Sequence, residues 1–209
     1  MQHKSPEQRR VRLLPILTQA FIELGFRRAT TAELAARCQL RENELYRLWK
    51  NKKAMFIDAV QQVYDSTLKA WSQLSVADES TSMAQRVLAH QAIHQGRMGF
   101  YRIVFAGLQE TDDTEIKAAL RNLYRKFHAS IVEMMIQHHA VPLADMSRAK
   151  QAEARDRAEL AAWAMIGLGA IADIDRCVNL TSATKRQHLM KTVGKTLLDF
   201  PVPATVTLS

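Results

Sequence analysis

The stretch TTAELAARCQLRENELYRLWKNKKAMF, residues 30–56, decides the fold. Apolar residues recur in it at helical spacing, which predicts two short helices at about 31–38 and 42–48. About three residues, 39–41, separate the two helices, and this spacing is typical of a helix-turn-helix unit. The stretch therefore predicts a small helical unit of the kind that reads DNA.

Residues that commonly start or end a helix place the helix before this unit at about residues 6–24. Ser5 is expected as its N-cap, with Pro6 at the first helical position. Gly25 is expected to end it as a left-handed cap. Pro15 removes a backbone hydrogen bond inside the span, so it is expected to kink the helix or to delay its start to about residue 12.

The caps and charges of the unit predict how it meets DNA. Thr30 or Thr31 can cap its first helix, and Glu33 follows Thr30 at capping-box spacing. The second helix of such a unit enters the major groove with its first residues on the base edges. We expect the base-reading residues to be Arg41, Glu42, Asn43, Glu44 and Arg47.

Aromatic and basic residues at the end of this stretch indicate phosphate contacts. Tyr46 is expected on the exposed side with its hydroxyl free, while Trp49 covers the core. Lys52 and Lys53 open the next helix, where backbone N–H groups already favour an anion. A lysine there adds a charge-assisted phosphate contact.

The net charge of +8 is concentrated at the start of the chain. Residues 1–55 hold twelve Lys or Arg against five Asp or Glu, a net charge of +7, and the remaining residues carry +1. A basic first quarter on a neutral body suggests a polyanionic partner, with nucleic acid the commonest. The alternative is a basic face that merely keeps the protein in solution.

Helical periodicity continues through the rest of the 209 residues, so the fold class is all-α. We expect a DNA-binding domain at 1–55, a helical regulatory and dimerisation domain at 56–200, and a flexible tail at 201–209. Further helices are predicted at about 52–74, 83–95, 97–109, 114–139, 147–177 and 182–199.

The last two helices are expected to join two copies of the chain. The run LAAWAMIGLGAIADI, residues 160–174, is apolar on nearly every face of the predicted helix. It must therefore be buried on more than one side. Closure of the protomer's own core is the alternative. The expected dimer-interface residues are Trp163, Ile166, Gly167, Ala170, Ile174, Leu189, Val193 and Leu197.

Large apolar side chains in the second part of the chain could line a cavity for a small molecule. At helical spacing they could equally be ordinary core. The candidate ligand-binding residues are Trp71, Phe100, Tyr101, Phe105, Phe127, Met134 and Trp163.

The sequence contains no motif that indicates an enzyme or a metal-binding protein. It has no glycine-rich phosphate loop, no nucleophile elbow and no paired-cysteine motif, so we expect no catalytic residue and no cofactor. His90 and His94 stand at i, i+4 without a matching third ligand, so no metal site is expected. Two distant cysteines and the absence of an apolar leader or membrane span favour the cytoplasm, in association with the nucleoid.

The segment from residue 25 to residue 60 resembles the DNA-binding segment of the TetR family of bacterial repressors. The residues that carry the resemblance are Gly25-Phe26, Thr30, Leu34-Ala35, Leu45-Tyr46, Trp49, Lys52 and Met55-Phe56. It implies a homodimer that holds phosphates of double-stranded DNA through Thr30, Tyr46 and Lys52. It also implies a repressor, released from a palindromic operator by an unidentified small-molecule effector.

Four positions depart from the family pattern. The family usually has Gly where this chain has Gln39, often Ser at Arg41 and Gly at Asn43, and commonly Tyr or His at Leu48. Gln39 is expected to adopt a positive φ. A helical interaction module, or a ligand-binding protein without specific DNA readout, is the alternative function; it leaves the basic first quarter unexplained.

Overall fold

The computed structural model describes residues 5–74, 81–94, 100–140 and 143–199. Within these ranges the regular structure is helical throughout and no strand occurs. The helices are α1 (Pro6–Arg28), α2 (Thr31–Arg37), α3 (Glu42–Leu48), α4 (Lys52–Ser72), α5 (Met83–His94), α6 (Phe100–Leu108), α7 (Thr114–His138), α8 (Arg148–Val178) and α9 (Ala183–Leu198), with a short 3-10 turn at Leu143–Asp145.

The chain divides into two compact units. The first comprises Met1–Ala70 and Met98–Tyr124, and so includes α1 to α3, nearly all of α4, α6 and the first part of α7. The second comprises Trp71–Arg97 and Arg125–Ser209, and so includes α5, the rest of α7, α8 and α9. The domain boundaries expected from the sequence remain a prediction.

The start of α1 follows its cap, and the expectation for Pro15 is wrong. The Ser5 side chain accepts from the Gln8 backbone N–H, and the Gln8 side chain accepts from the Ser5 backbone N–H. The helix begins at Pro6 and its backbone stays helical through Pro15. The capping box and the packing of α1 against α2, α3 and α6 supply stability that local propensity omits.

Gly25 interrupts α1, but not as a left-handed cap. Its φ is 74° as a glycine allows, whereas its ψ of 169° is extended and not left-handed helical. A short helical turn follows before Ala29. The conformation is one that only glycine adopts readily, so the expected positive φ is confirmed and the expected cap geometry is wrong.

The helix-turn-helix unit forms where the sequence predicts it. Thr30 caps α2 by accepting from the Glu33 backbone N–H at 3.2 Å. The Glu33 carboxylate accepts instead from Arg37, so the capping box is only half made. Gln39 has a φ of 57°, which confirms the expected strained turn.

The bounds of the later helices agree with the sequence to within about two residues, apart from the expected start of α6 at about 97, which lies outside the described ranges. The 3-10 turn at Leu143–Asp145 had no counterpart in the sequence reading. Residues 75–80, 95–99, 141–142 and the tail from 200 onward lie outside the described ranges, including most of the expected polar break at 76–82 and the tail at 201–209.

Aromatic packing and a close helix contact hold the first unit together. The rings of Phe21 and Phe56 meet edge to face at 5.2 Å between centroids, and Phe26 packs on Phe56 at 5.1 Å. A Cβ at Gly107 would come within 3.0 Å of Leu120, so glycine lets α6 approach α7. This core fixes the position of α1 to α4 and hence of the reading unit.

The second unit packs α9 against both α5 and α8. A Cβ at Gly194 would lie 2.3 Å from a methyl group of Leu88, so the close approach of α9 to α5 depends on glycine. In the ranges that the structure describes, no helix is both long enough and apolar enough to cross a lipid bilayer.

Candidate nucleic-acid interface

Helix α3 presents a polar outer face and an apolar inner one. Leu45 and Leu48 are buried, which anchors the helix to the first unit. Asn43, Tyr46 and Arg47 are exposed, as are Arg41 and Glu42 at the start of the helix. The expected base-reading side chains thus lie on the free face, with the exception of Glu44.

Tyr46 joins the two helices of the unit. Its ring is 46 % exposed, and its hydroxyl lies 3.0 Å from the hydroxyl of Thr31 at the first position of α2. Thr30, the N-cap of α2, stands next to it. Two hydroxyl groups and the positive end of α2 therefore gather at one exposed place, a suitable setting for a phosphate.

Lys52 opens α4 and contacts Phe26 near the end of α1. Its Nζ donates to the carbonyl oxygen of Phe26 at 2.9 Å and lies 4.4 Å from the centroid of the Phe26 ring. Burial lowers the pKa of Lys52. The ammonium has two further N–H donors, which the Phe26 carbonyl does not use.

The neighbouring cations form ion pairs within the first unit. Lys53 Nζ lies 3.0 Å from Asp113 and 2.7 Å from Glu115, at the start of α7. Arg27 donates to Glu110 at 2.7 Å. These contacts tie the end of α1 and the start of α4 to the segment between α6 and α7.

Glu44 makes contacts at the start of α3 that the sequence does not indicate. Its carboxylate accepts from the backbone N–H of Arg41 at 3.0 Å and lies 3.6 Å from Arg9 of α1. The bond to Arg41 and the nearby arginines lower the pKa of Glu44. A carboxylate held in this way stabilises the start of α3, so it need not face a base.

The candidate ligand-binding residues are distributed over both units. Phe100, Tyr101 and Phe105 belong to the first unit, where their rings pack in sequence along α6. In the second unit Trp71 packs on Phe127 at 5.4 Å between ring centroids, and Met134 lies half-buried on α7. Their role in ligand binding stays a prediction.

An apolar stripe runs along the outside of α8. The stripe is exposed although its side chains are apolar; Trp163 is 55 % exposed and Ile171 is 64 % exposed. Its members recur at helical spacings of three and four and are Leu160, Trp163, Gly167, Ile171, Ile174 and Val178.

Helix α9 adds exposed Leu189 and Val193 and half-buried Leu197. Of the other expected interface residues, Ala170 is half-buried and Ile166 is buried within the protomer. Nothing lies within 4 Å of a Cβ built on Gly167, so another helix could approach there.

In the described part of the chain, the histidine and cysteine side chains do not form a metal-binding cluster. The rings of His90 and His94 lie 4.6 Å apart on α5. Across the described ranges, no three His, Cys, Asp or Glu side chains converge as a metal site would need. The thiol of Cys38 is buried and that of Cys177 is exposed, and neither is in a disulfide.

One segment of the chain matches a known protein family. Residues 18–59 match the family described as bacterial regulatory proteins, tetR family. This confirms the resemblance drawn from residues 25–60. Among proteins of curated function, none matches the chain.

Solved structures share the fold over more than nine-tenths of the chain. A TetR-family transcriptional regulator from Cytophaga hutchinsonii superposes with a TM-score of 0.71 at 14 % identity, covering 97 % of this chain and all of its own. A putative TetR-family regulator from Rhodococcus sp. gives 0.68 at 16 % identity, covering 91 % of this chain and 98 % of its own. The superantigen PfiT also matches, with a TM-score of 0.57 at 17 % identity over 93 % and 97 % of the two chains. Because one fold serves such different proteins, the function has to be argued from residues 18–59 and the α3 face.

Proposed function

We propose that the protein is a dimeric repressor released from a palindromic operator by a small molecule, because residues 18–59 match the tetR family of bacterial regulatory proteins. The observation that carries the proposal is the exposed face of α3. Asn43 and Arg47 stand free there, directly beside the paired hydroxyls of Tyr46 and Thr31. Base-reading and phosphate-binding groups thus share one surface, as a helix-turn-helix protein requires.

On binding, α3 enters a major groove. Arg47 can donate two hydrogen bonds to a guanine, and Asn43 can pair with the edge of an adenine. Tyr46, Thr31 and the backbone N–H groups at the start of α2 hold a phosphate next to the groove. Lys52 supplies charge to the same phosphate.

The apolar stripe of α8, together with Leu189 and Val193 of α9, supports the dimer. Large exposed apolar patches on a protein surface mark interaction sites. Because the stripe has coiled-coil spacing, a second copy of the same two helices covers it in a symmetric bundle. A twofold protein then reads two half-sites about one helical turn apart or slightly more.

A molecule bound among the helices of the second unit would release DNA only if it favours a conformation in which the spacing of the two α3 helices no longer fits the operator. The apolar side chains Trp71, Phe127 and Met134 suit a flat or hydrophobic molecule. The protein would act in the cytoplasm, on the nucleoid.

The experiment that tests the proposal is selection of genomic fragments by the purified protein at about 150 mM salt, followed by sequencing of the retained fragments. Recovery of a palindrome with two half-sites supports the dimeric reader. Retention of unrelated fragments that disappears as salt rises would instead identify a nonspecific basic surface, and the proposal would fail.

A further inference from the structure

The reading helix α3 cannot hold its own orientation. It has seven residues, about two turns, and isolated helices of this length are unstable in water. Its N-cap is Arg41, whose side chain lacks the short oxygen acceptor that usually caps a helix. The strained backbone at Gln39 comes just before it. Contacts from outside the helix must therefore fix its position.

One such contact acts at the start of α3. Arg9 of α1 lies 3.6 Å from the Glu44 carboxylate, and the same carboxylate accepts from the Arg41 backbone N–H. Glu44 thus connects the first turn of α3 to α1. The two charged side chains are about one-third exposed and lie 3.6 Å apart, and among the described residues no buried side chain joins them, so this pair is the weaker of the two contacts.

A stronger contact acts at the end of α3. Trp49 is its C-cap residue and is 1 % exposed. The indole Nε1–H donates to Asp58 Oδ2 at 2.8 Å, and Arg10 Nη2 donates to the same oxygen at 3.1 Å. The Arg10 guanidinium also lies 5.4 Å from the centroid of the Trp49 ring. Three side chains from α1, α4 and the end of α3 thereby form a closed triangle.

We infer that Arg10 and Asp58, assisted by Arg9, are positioning residues that set the orientation in which α3 meets DNA. This set, with Glu44 and Trp49, is called the α1 clamp below. The inference rests on the proposed function. Arg9 and Arg10 precede the segment 18–59, so the family match does not include them. Arg9 pairs with Glu44 of α3, and Arg10 pairs with Asp58, which accepts from the Trp49 indole, so we assign both arginines a role through α3.

The test compares Arg10→Ala, Asp58→Ala and the double variant with the wild type, at a temperature where circular dichroism shows all of them folded. Asp65→Ala removes an exposed carboxylate further along α4 and is the matched control. In the DNA-free protein, we expect faster amide hydrogen exchange over residues 42–49 in the three clamp variants. The double variant is expected to be little worse than either single one, because both break the same triangle.

DNA binding supplies the second readout. With the palindrome recovered by genomic selection, clamp variants are expected to lose about tenfold or more in preference over random DNA. Their affinity for random DNA and its salt dependence are expected to be unchanged. Asp58→Asn keeps an acceptor for the Trp49 indole but loses the charge that pairs with Arg10, so an intermediate loss is expected.

Three outcomes would overturn the inference. Unchanged exchange over residues 42–49 in both single variants would show that the triangle does not hold α3. Unchanged preference for the palindrome would show that it does not matter for reading. A uniform loss on all DNA, with the salt slope reduced by about 1, would make Arg10 a phosphate contact. If the wild type shows no preference at all, the proposed function fails, while hydrogen exchange still decides the clamp.

Discussion

The hydroxyl of Tyr46 lies 3.0 Å from the hydroxyl of Thr31, so the exposed face of α3 is joined to the first turn of α2. The contact places two hydroxyl groups where α2 directs its free backbone N–H groups. The arrangement explains why an exposed aromatic residue can keep a defined position on the surface. It supports the proposal that Tyr46 contacts the DNA backbone.

Tyr46→Phe and Lys52→Ala are therefore expected to weaken binding to every DNA sequence alike. Loss of the Tyr46 hydroxyl removes a hydrogen bond to a charged phosphate oxygen, worth about 1.5–3 kcal/mol, or about a tenfold or larger loss of affinity. Loss of the Lys52 charge is expected to lower the slope of log affinity against log salt by about 1. Titrations of operator and random DNA at several salt concentrations measure both. Lys150→Ala, an exposed charge on α8, is the control; changes confined to one sequence would refute the assignment.

Asn43→Ala and Arg47→Ala are expected to change sequence preference. Each side chain is exposed on α3 and can make two hydrogen bonds to one base, worth about 1–3 kcal/mol of discrimination. Binding to a library with one half-site position randomised at a time shows which base loses its preference. Equal losses on every member of the library would remove these residues from the base-reading set.

Ile171→Glu is expected to convert the dimer into monomers at micromolar concentration. The side chain is 64 % exposed in the protomer and lies at the centre of the α8 stripe, so a carboxylate there would be buried without a partner in the bundle. Light scattering after gel filtration measures the mass. Ala152→Glu places the same charge elsewhere on α8 and should stay dimeric. A wild type that is itself monomeric would contradict a mechanism in which the two α3 helices of a dimer read two half-sites.

Two backbone substitutions are expected to change stability in opposite directions. Gly25→Ala forces a side chain onto a φ of 74° and a ψ of 169°, at a cost of about 1–3 kcal/mol, although nothing nearer than 4.0 Å obstructs the new Cβ. Gln39→Gly relieves a left-handed residue, worth about 1–2 kcal/mol, and loses about 0.4–1 kcal/mol through the freer unfolded chain. Urea unfolding should therefore show a lower midpoint for the first and a slightly higher one for the second. The same direction of change in both variants would show that φ does not control these positions.

Asp175 is expected to contribute to acid sensitivity. It accepts from the backbone N–H of Thr181 at 2.7 Å and from its hydroxyl at 2.6 Å, and these bonds together with Arg186 lower the pKa of the carboxyl. Its stabilisation is therefore complete above the unfolded-state pKa of about 3.9 and is lost as pH falls through the lower folded-state value.

Asp175→Asn is accordingly expected to lower the melting temperature at pH 7 and to make its decline below about pH 4 shallower. Other carboxyls with lowered pKa values, including Glu44, keep part of the decline. Asp156→Asn, an exposed acid of α8, is the matched control. Parallel melting curves for Asp175→Asn and wild type across the acid range would contradict the assignment.

Local chemistry explains where the sequence reading succeeded. The cap at Thr30 and the positive φ at Gln39 depend on residues close in the chain, and the sequence predicts both. The expectation for Pro15 failed because packing of α1 against three other helices outweighs one missing hydrogen bond.

Long-range contacts explain what the sequence reading missed. Asp58 receives hydrogen bonds from both Arg10 and Trp49, and no periodic pattern indicates that these three residues meet. Glu44 stands among the expected base readers, and its bond to the Arg41 backbone N–H and its contact with Arg9 are not indicated by the sequence. Side-chain partners that are distant in sequence become visible only once the helices are packed.

The most direct test of the account compares the affinity for the selected palindrome with the affinity for the same fragment after both half-sites are scrambled, at about 150 mM salt. A specific reader is expected to prefer the palindrome by a factor of about 10³ or more, and to lose that preference when one half-site is scrambled. Equal affinity for all three fragments, falling steeply as salt rises, would contradict the account and leave a nonspecific basic surface.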